Sequence, residues 1–318
     1  MQFYYILFLL ASSILALNSI SWFSIWIIIE INLIIFIPIL LKKFFIGTRE
    51  ITLKYFIPQT FGSIFILISI IINKNNIVNP IFLVIIFSIG IFIKIGLIPF
   101  HIWIINIIEK INFNSIIILI TWQKLIPLIL FKFSNKFLSI FIAFISTFMA
   151  SISAFYQNSM RKLMTYSSII NSRWIIIIFI FNKTLWIYFF ILYTRISIII
   201  IKIIKKENLT HLSNLFTKSK KTLYKIFIIR LTISGLPPSI GFILKLLILK
   251  ILILSNSTLL IFLIIVSSII RFLFYSRIFF SIVTLTPQYK KSILIKKNLL
   301  DKNIHLTLLF FPFVILLK

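Results

Sequence analysis

Apolar residues fill long runs along this chain, and only short polar segments separate one run from the next. There are about eleven such runs, and each is long enough to form a helix of roughly 20 residues that crosses about 30 Å of hydrocarbon. The runs cover 3–20, 24–41, 55–72, 80–98, 114–132, 137–157, 163–181, 185–204, 225–250, 257–284 and 303–317. They are too long for barrel strands and do not alternate polar with apolar positions. The pattern therefore predicts an all-α membrane protein.

The composition excludes a soluble domain. Of the 318 residues, 61% are hydrophobic and 12% are charged, and the mean hydropathy is +1.16. Soluble domains are about 25% charged. The N-terminus lacks the basic region and the cleavage site of a signal peptide, so we expect the first run to be retained as a span.

The charged residues are mostly basic, with 33 Lys and Arg against 5 Asp and Glu. In a soluble protein this excess would indicate nucleic-acid binding, but here most basic residues lie in short loops and act as topology determinants. About 19 lie in the even-numbered loops and about 5 in the odd-numbered ones. The positive-inside rule then predicts that the N-terminus faces the matrix or the cytoplasm and the C-terminus the opposite side. We also expect Glu109 and Lys110 to pair at a helix end.

The chain has no cysteine, and its 3 histidines are scattered. This composition excludes disulfides, thiolate metal sites and iron–sulfur clusters, and it argues against a haem or zinc site. We therefore expect no cofactor in this chain.

Glycine and proline interrupt two of the apolar runs in a similar way, each time close to a lysine. The residues concerned are Lys94, Gly96 and Pro99 in the fourth run, and Gly235, Pro237, Pro238 and Lys245 in the ninth. Proline removes a helical N–H and clashes with the preceding turn, so both helices should break. Paired breaks in two halves of a membrane protein are typical of transporter repeats. Two simple proline kinks are the alternative.

A few titratable side chains lie deep in the apolar runs. A charge at the centre of a span costs about 2.5–3.5 kcal/mol on insertion scales, so its presence indicates a function. Lysine suits proton transfer because it can lose its proton when buried, whereas arginine stays charged. The candidate proton relay consists of Glu30, Lys94, Lys124, Lys245 and His101. The alternatives are a protonated, hydrogen-bonded Glu30, a Lys94 that snorkels to the interface, and a His101 that only caps a half-helix.

Several polar motifs follow one another along the chain in a characteristic order. They are Glu30 with Asn32, Lys54-Tyr55 with Gln59, Lys94 to His101, Thr121-Trp122-Gln123-Lys124, Gln157 to Ile169, and Gly235-Leu236-Pro237-Pro238 with Lys245. Together they resemble the antiporter-like membrane subunits of respiratory complex I, and among these the mitochondrially encoded subunit 2 family in its animal form. The segment Ile170-Asn171-Ser172-Arg173-Trp174 departs from that family, which usually has Asn-His-Leu-Gly-Trp here, so this chain lacks the family's histidine.

The resemblance implies a single antiporter-like domain over 1–318, with inverted repeats over about 1–132 and 137–284 and a peripheral helix over about 303–318. It implies proton translocation in the mitochondrial inner membrane, with the N-terminus on the matrix side. Other subunits would oxidise NADH, reduce ubiquinone, and bind FMN and the iron–sulfur clusters. The implied partners are the other membrane-arm subunits and phospholipids such as cardiolipin. The alternatives are a cation/proton antiporter subunit, a small-solute carrier and a purely structural anchor.

Four arginines lie within or at the edge of apolar runs, at Arg173, Arg195, Arg230 and Arg271. The chain has too few acidic residues to pair them, and a guanidinium group cannot neutralise itself by losing a proton. The chain is also rich in Ile and has only 4 Met. Both features have one explanation if the gene follows an invertebrate mitochondrial code, in which AGA specifies Ser and ATA specifies Met. If these codons are instead translated by a code in which AGA specifies Arg and ATA specifies Ile, the resulting sequence has Arg at Ser positions and Ile at Met positions.

We therefore expect peptide mass spectrometry across residues 168–180 and 190–200 to find serine at position 173, at position 195 or at both, and methionine at some of the Ile positions. The competing interpretation is that these arginines are real and face water, lipid phosphate or a partner's carboxylate. Arginine at both positions, with Ile throughout, would end the hypothesis.

Overall fold

The computed structural model describes residues 2–19, 21–41, 46–75, 79–182, 184–215 and 240–255, and most of 258–270. In this part of the chain the structure is helical, apart from turns and an isolated bridge between Ser159 and His211. The α-helices are α1 (Gln2–Asn18), α2 (Trp22–Leu40), α3 (Ile46–Asn75), α4 (Pro80–Ile95), α5 (Ile102–Ile108), α6 (Phe113–Ile120), α7 (Leu125–Leu130), α8 (Lys136–Phe155), α9 (Met160–Phe181), α10 (Leu185–Lys206) and α11 (Ile240–Leu254). The prediction of an all-α protein is confirmed for these residues.

Within the described residues, 6 helical segments are long and apolar enough to cross a membrane. They are Trp22–Leu40, Arg49–Asn73, Phe113–Phe133, Lys136–Phe155, Met160–Phe181 and Leu185–Lys206. The third of these segments joins α6 and α7 through a 3₁₀ turn at Trp122–Lys124. Part of the predicted ninth and tenth spans and all of the eleventh lie outside the described residues, so the number of about eleven spans stays a prediction.

The chain divides into two compact units. One comprises Met1–Ala150 with Arg161–Trp186, and the other comprises Ser151–Met160 with Ile187–Lys318. The predicted second break, at Gly235, Pro237 and Pro238, lies outside the described residues, as do Arg230 and Arg271. The predicted inverted repeats therefore stay a prediction.

Helix α3 is longer than the third apolar run, because it begins at Ile46 and not near residue 55. Glu50 and Lys54, one helical turn apart, form an ion pair that supports the polar first turns, and Lys110 Nζ lies 3.0 Å from Glu50 Oε2. The 30 residues of α3 give the helix a length of about 45 Å, which exceeds the hydrocarbon thickness of about 30 Å. The charged turns therefore extend beyond the apolar layer.

The prediction that Glu109 pairs with Lys110 is wrong. Lys110 pairs with Glu50, and Lys162 Nζ lies 2.9 Å from Glu109 Oε1. Successive side chains on a helix do not face each other, so two neighbours at the end of α5 contact different elements. Arg161 donates hydrogen bonds to the backbone carbonyls of Glu109 and Ile111 and so stabilises the segment that follows α5.

Helices α3 and α4 pack with their backbones in close contact at two glycines. A Cβ atom on Gly90 would lie 2.7 Å from the carbonyl oxygen of Gly62 and 2.9 Å from Ile66 Cγ1. Helices in membranes commonly approach each other at small residues, because lipid offers no hydrophobic force to drive them together. This close approach brings Lys94 on α4 within reach of Gln59 on α3.

We expect Gly90→Ala to destabilise the protein, although alanine favours a helix over glycine by about 1 kcal/mol. The added methyl group meets a backbone oxygen that moves only if α3 moves, and overpacking of this kind costs about 1–3 kcal/mol. The amount of folded protein in the membrane and the midpoint of thermal unfolding in detergent measure the effect. Ile81→Ala, on a position of α4 that is 69% exposed, is the control. Equal stability of the two variants would contradict the tight packing at Gly90.

Candidate functional site

Helix α4 ends at Ile95, inside the fourth apolar run, and Gly96 caps its C-terminus. Gly96 has φ +72° and ψ +46°, a left-handed conformation that glycine adopts without the cost of a Cβ contact. Its N–H donates to the carbonyls of Phe92 (2.9 Å) and Ile93 (3.1 Å), and the N–H of Leu97 donates to Phe92 (3.1 Å). These bonds form a Schellman-type helix end. The turn that contains Pro99 follows, and α5 begins at Ile102.

Side chains from neighbouring elements bind the carbonyl groups at this open helix end. The indole Nε1 of Trp103 donates to the carbonyl of Ile93 at 3.2 Å, and Gln59 Nε2 donates to the carbonyl of Lys94 at 3.4 Å. The last carbonyls of a helix have no partner within the helix, and inside hydrocarbon water cannot supply one. Trp103 and Gln59 therefore allow the helix to end within the apolar layer.

Lys94 lies in the last turn of α4 and is 5% exposed. Its ammonium donates to the backbone carbonyl of Gln59 at 3.1 Å, while the side-chain amide of Gln59 donates back to the carbonyl of Lys94. The lysine and the glutamine thus form a reciprocal contact between α3 and α4. The negative end of the α4 dipole lies at the same place and favours a positive charge there.

Lys124 lies in a second interruption, which the apolar pattern did not predict. Helix α6 ends at Ile120, and Lys124 belongs to the 3₁₀ turn that precedes α7. Pro127 explains part of this interruption, because it has no N–H to donate to the carbonyl of Gln123 four residues earlier. Lys124 is 3% exposed, and its Nζ donates to the carbonyl (3.1 Å) and the hydroxyl (3.3 Å) of Ser168 on α9.

Neither buried ammonium group forms an ion pair within the described part of the chain. No described carboxylate lies within 4.0 Å of Lys94 or Lys124, and Glu50 and Glu109 pair with other lysines. Glu30 is half-buried on α2 and interacts electrostatically with Lys94 at longer range. Carbonyl and hydroxyl oxygens therefore supply the direct contacts of both lysines.

The remaining two candidates are His101 and Lys245. His101 is half-buried in the turn between α4 and α5, where its Nδ1 lies 3.3 Å from the carbonyl of Pro99 and its ring centroid lies 6.4 Å from that of Tyr166. Lys245 lies on α11 in the second compact unit and is 8% exposed.

A small cavity of about 20 Å³ lies beside Lys94. Its polar lining comes from Asn32, Tyr55, Gln59, Lys94 and Gln123. The Tyr55 hydroxyl donates to Gln123 Oε1 at 3.4 Å. Sequence reasoning gave Tyr55, Gln59 and Gln123 no role. The sequence feature that could have indicated a role for these three residues is their polar character within long apolar runs.

The described features, apolar spans with interruptions at buried lysines, define a membrane protein of the antiporter type. The model of the family described as NADH:quinone oxidoreductase/Mrp antiporter, TM matches residues 19–271. The chain is similar to the NADH-ubiquinone oxidoreductase chain 2 of Anopheles gambiae, with 31% identity over 96% of this chain and 92% of that one. It belongs to this family, and within it to the NADH-ubiquinone oxidoreductase chain 2 group.

Two solved structures share its fold. A chain of respiratory complex I from Thermus thermophilus matches with a TM-score of 0.78 at 15% identity, over 87% of this chain and 69% of that one. A chain of the Mrp complex from Dietzia matches with a TM-score of 0.74 at 14% identity, over 86% of this chain and 59% of that one. The family match and the Anopheles relative identify a multi-pass inner-membrane subunit of an NADH:quinone oxidoreductase. The two solved structures add that the fold is shared.

We expect Trp103→Phe to loosen the end of α4. The variant keeps an aromatic ring but removes the indole N–H that donates to the carbonyl of Ile93, which then retains the bond from Gly96, and one such hydrogen bond contributes about 0.5–1.5 kcal/mol. Amide hydrogen exchange at Gly96 and Leu97 should become faster, and the midpoint of thermal unfolding should fall. Trp186→Phe is the control, because the Trp186 ring packs on Phe179 away from the break. Unchanged exchange at Gly96 would show that the indole does not hold this helix end.

Proposed function

We propose that this chain translocates protons as a membrane-arm subunit of respiratory complex I, and that its buried lysines are the sites that take up and release them. The observation that carries the proposal is the pair Lys94 and Lys124. Each lies at an interruption of a helix, is at most 5% exposed, and binds backbone carbonyl oxygens and not a carboxylate. A lysine held in this way changes its protonation without breaking an ion pair.

The other candidates take supporting roles in this proposal. Glu30 acts on Lys94 through its charge, because the two interact electrostatically without direct contact in the described structure. Glu30 also relays protons to the neighbouring subunit. Lys245 is the terminal proton site, and the burial of its side chain supports this assignment. His101 either joins the relay or caps the half-helix that follows Pro99. The proposed axis through Glu30, Lys94, Lys124 and Lys245 runs parallel to the membrane plane.

The wider architecture belongs to the same proposal. The chain forms about eleven spans in two inverted repeats, over about 1–132 and 137–284, with a peripheral helix over about 303–318. The N-terminus faces the mitochondrial matrix and the C-terminus faces the intermembrane space, because the even-numbered loops carry most of the positive charge. This chain performs no redox chemistry itself. Other subunits bind NADH, FMN, the iron–sulfur clusters and ubiquinone.

Phospholipids are the proposed partners at the outer surface. An open, largely apolar groove of about 580 Å³ lies between α3 and the α4–α5 segment, lined by Phe61, Phe65, Phe100 and Trp103 among others. Lys54 lines the same groove. An acyl chain suits the aromatic lining, and the Lys54 ammonium attracts an anionic headgroup such as that of cardiolipin.

The rival functions have weaker support. A small-solute carrier needs a polar cavity of solute size, whereas in the described part of the chain the polar cavity beside Lys94 measures only about 20 Å³ and the groove of about 580 Å³ is largely apolar. A cation/proton antiporter shares the family model and the fold, but this chain covers only 59% of the matching Mrp chain at 14% identity. It covers 92% of the Anopheles relative.

We expect Lys124→Met to lower proton pumping per NADH oxidised at least about tenfold in the assembled complex, because a positioned proton donor contributes about 100-fold or more to a transfer step. Assembly should persist, because methionine fills the site and replacing a buried charge by an apolar group of similar volume is tolerated. The measurement is acidification per NADH in sealed membranes, together with the amount of assembled complex.

Lys132→Met is the matched control, because Lys132 is exposed and its ammonium lies over the Phe133 ring. This variant should pump normally. Pumping by Lys124→Met equal to that of the control would remove Lys124 from the relay.

A further inference from the structure

The cavity beside Lys94 has the size and the lining of a site for one water molecule. Its volume is about 20 Å³. A single water needs about 10–15 Å³ in this measure, together with two to four polar partners. The cavity has polar residues from three helices, α2, α3 and α4, and from the 3₁₀ turn before α7. An empty apolar void would lack such partners.

Gln123 supplies the strongest indication that the site is polar. Its Oε1 accepts the hydroxyl of Tyr55, while its Nε2 is buried and has no hydrogen-bond partner among the described residues. A buried N–H donor without a partner costs free energy, so such atoms in proteins commonly bind ordered water. Since Gln123 lines the cavity, a water there is the natural acceptor for Nε2.

Two other lining residues have hydrogen-bonding capacity left. The Lys94 ammonium has three N–H donors, and the structure shows one bond from it, to the carbonyl of Gln59. Asn32 donates its Nδ2 to Ser12 Oγ at 3.1 Å, and its Oδ1 remains available as an acceptor. The lining therefore offers both donors and an acceptor to a single water.

We infer that this cavity binds one water molecule, and that Gln123 is the positioning residue that holds it against Lys94. The inference deepens the proposed function and rests on it. The water accepts a hydrogen bond from Gln123 Nε2. It accepts a second one from Lys94 when the lysine is charged and donates to the lysine nitrogen when the lysine is neutral. Lys94 thus keeps a hydrogen bond to the same water in both protonation states. This water lies beside Gln123, the residue that precedes Lys124 in the chain.

The experiment compares the assembled wild-type complex with Gln123→Met in electron cryomicroscopy maps that resolve ordered water. Methionine has a similar length but cannot donate a hydrogen bond. We expect density for one water between Gln123 and Lys94 in the wild type and its loss in Gln123→Met. We also expect fewer protons pumped per NADH oxidised in the variant. Gln157→Met, at a half-buried position that does not line the cavity, should change neither.

The outcomes separate this inference from the proposed function. A wild-type cavity without water density overturns the inference, as does a water that stays in Gln123→Met. Normal pumping by Gln123→Met after loss of the water overturns the role of the water in pumping. Normal pumping by Lys124→Met overturns the relay itself, while the wild-type map still decides whether the cavity binds water.

A second variant covers the case in which Gln123→Met does not assemble. Tyr55→Phe removes the hydroxyl that binds Gln123 Oε1 and so releases the amide that holds the water. We then expect weaker water density and reduced pumping. Full density together with normal pumping in Tyr55→Phe would overturn the inference.

Discussion

Every polar group inside the hydrocarbon layer must find its partner within the protein, and the structure around Lys94 depends on this constraint. A helix that ends at Ile95 leaves carbonyl groups without helical partners, which water would satisfy in a soluble protein. Here the side chains of Trp103 and Gln59 take the place of water. The break, the lysine and the side chains around them therefore form one hydrogen-bonded unit.

The same constraint explains how an ammonium group is held without a carboxylate in contact. Lys94 and Lys124 bind oxygens of Gln59 and Ser168, which carry partial negative charge and do not titrate. A carboxylate in direct contact would stabilise the charged lysine strongly and hold the proton in place. Carbonyl oxygens stabilise it less, and Glu30 adds its charge from a distance. In the proposed relay, this arrangement lets the two lysines exchange protons repeatedly.

Close packing makes this arrangement possible. Gly62 and Gly90 let the backbones of α3 and α4 approach, and this approach brings the side chain of Lys94 to the backbone of Gln59. Tyr55, four residues before Gln59 on α3, reaches Gln123 in the turn that precedes α7. A small polar cavity remains where these elements meet. Two ion pairs, Lys110 with Glu50 and Lys162 with Glu109, connect polar helix ends within the same compact unit.

The sequence by itself determined that this is an all-α membrane protein, because runs of about 20 apolar residues have no other stable form in lipid. It also indicated a break near Gly96 and Pro99, since glycine and proline act on the backbone locally. Only the tertiary structure decided what the lysines bind, because the acceptors are backbone carbonyls that carry no sequence signal and lie 35 and 44 residues away. The apolar pattern did not predict the helix interruption at Lys124, because Pro127, the residue that favours it, lies about one turn later within a long apolar run. The contact of Tyr55 with Gln123 spans 68 residues, and the packing of helices, not the pattern along them, brings such distant positions together.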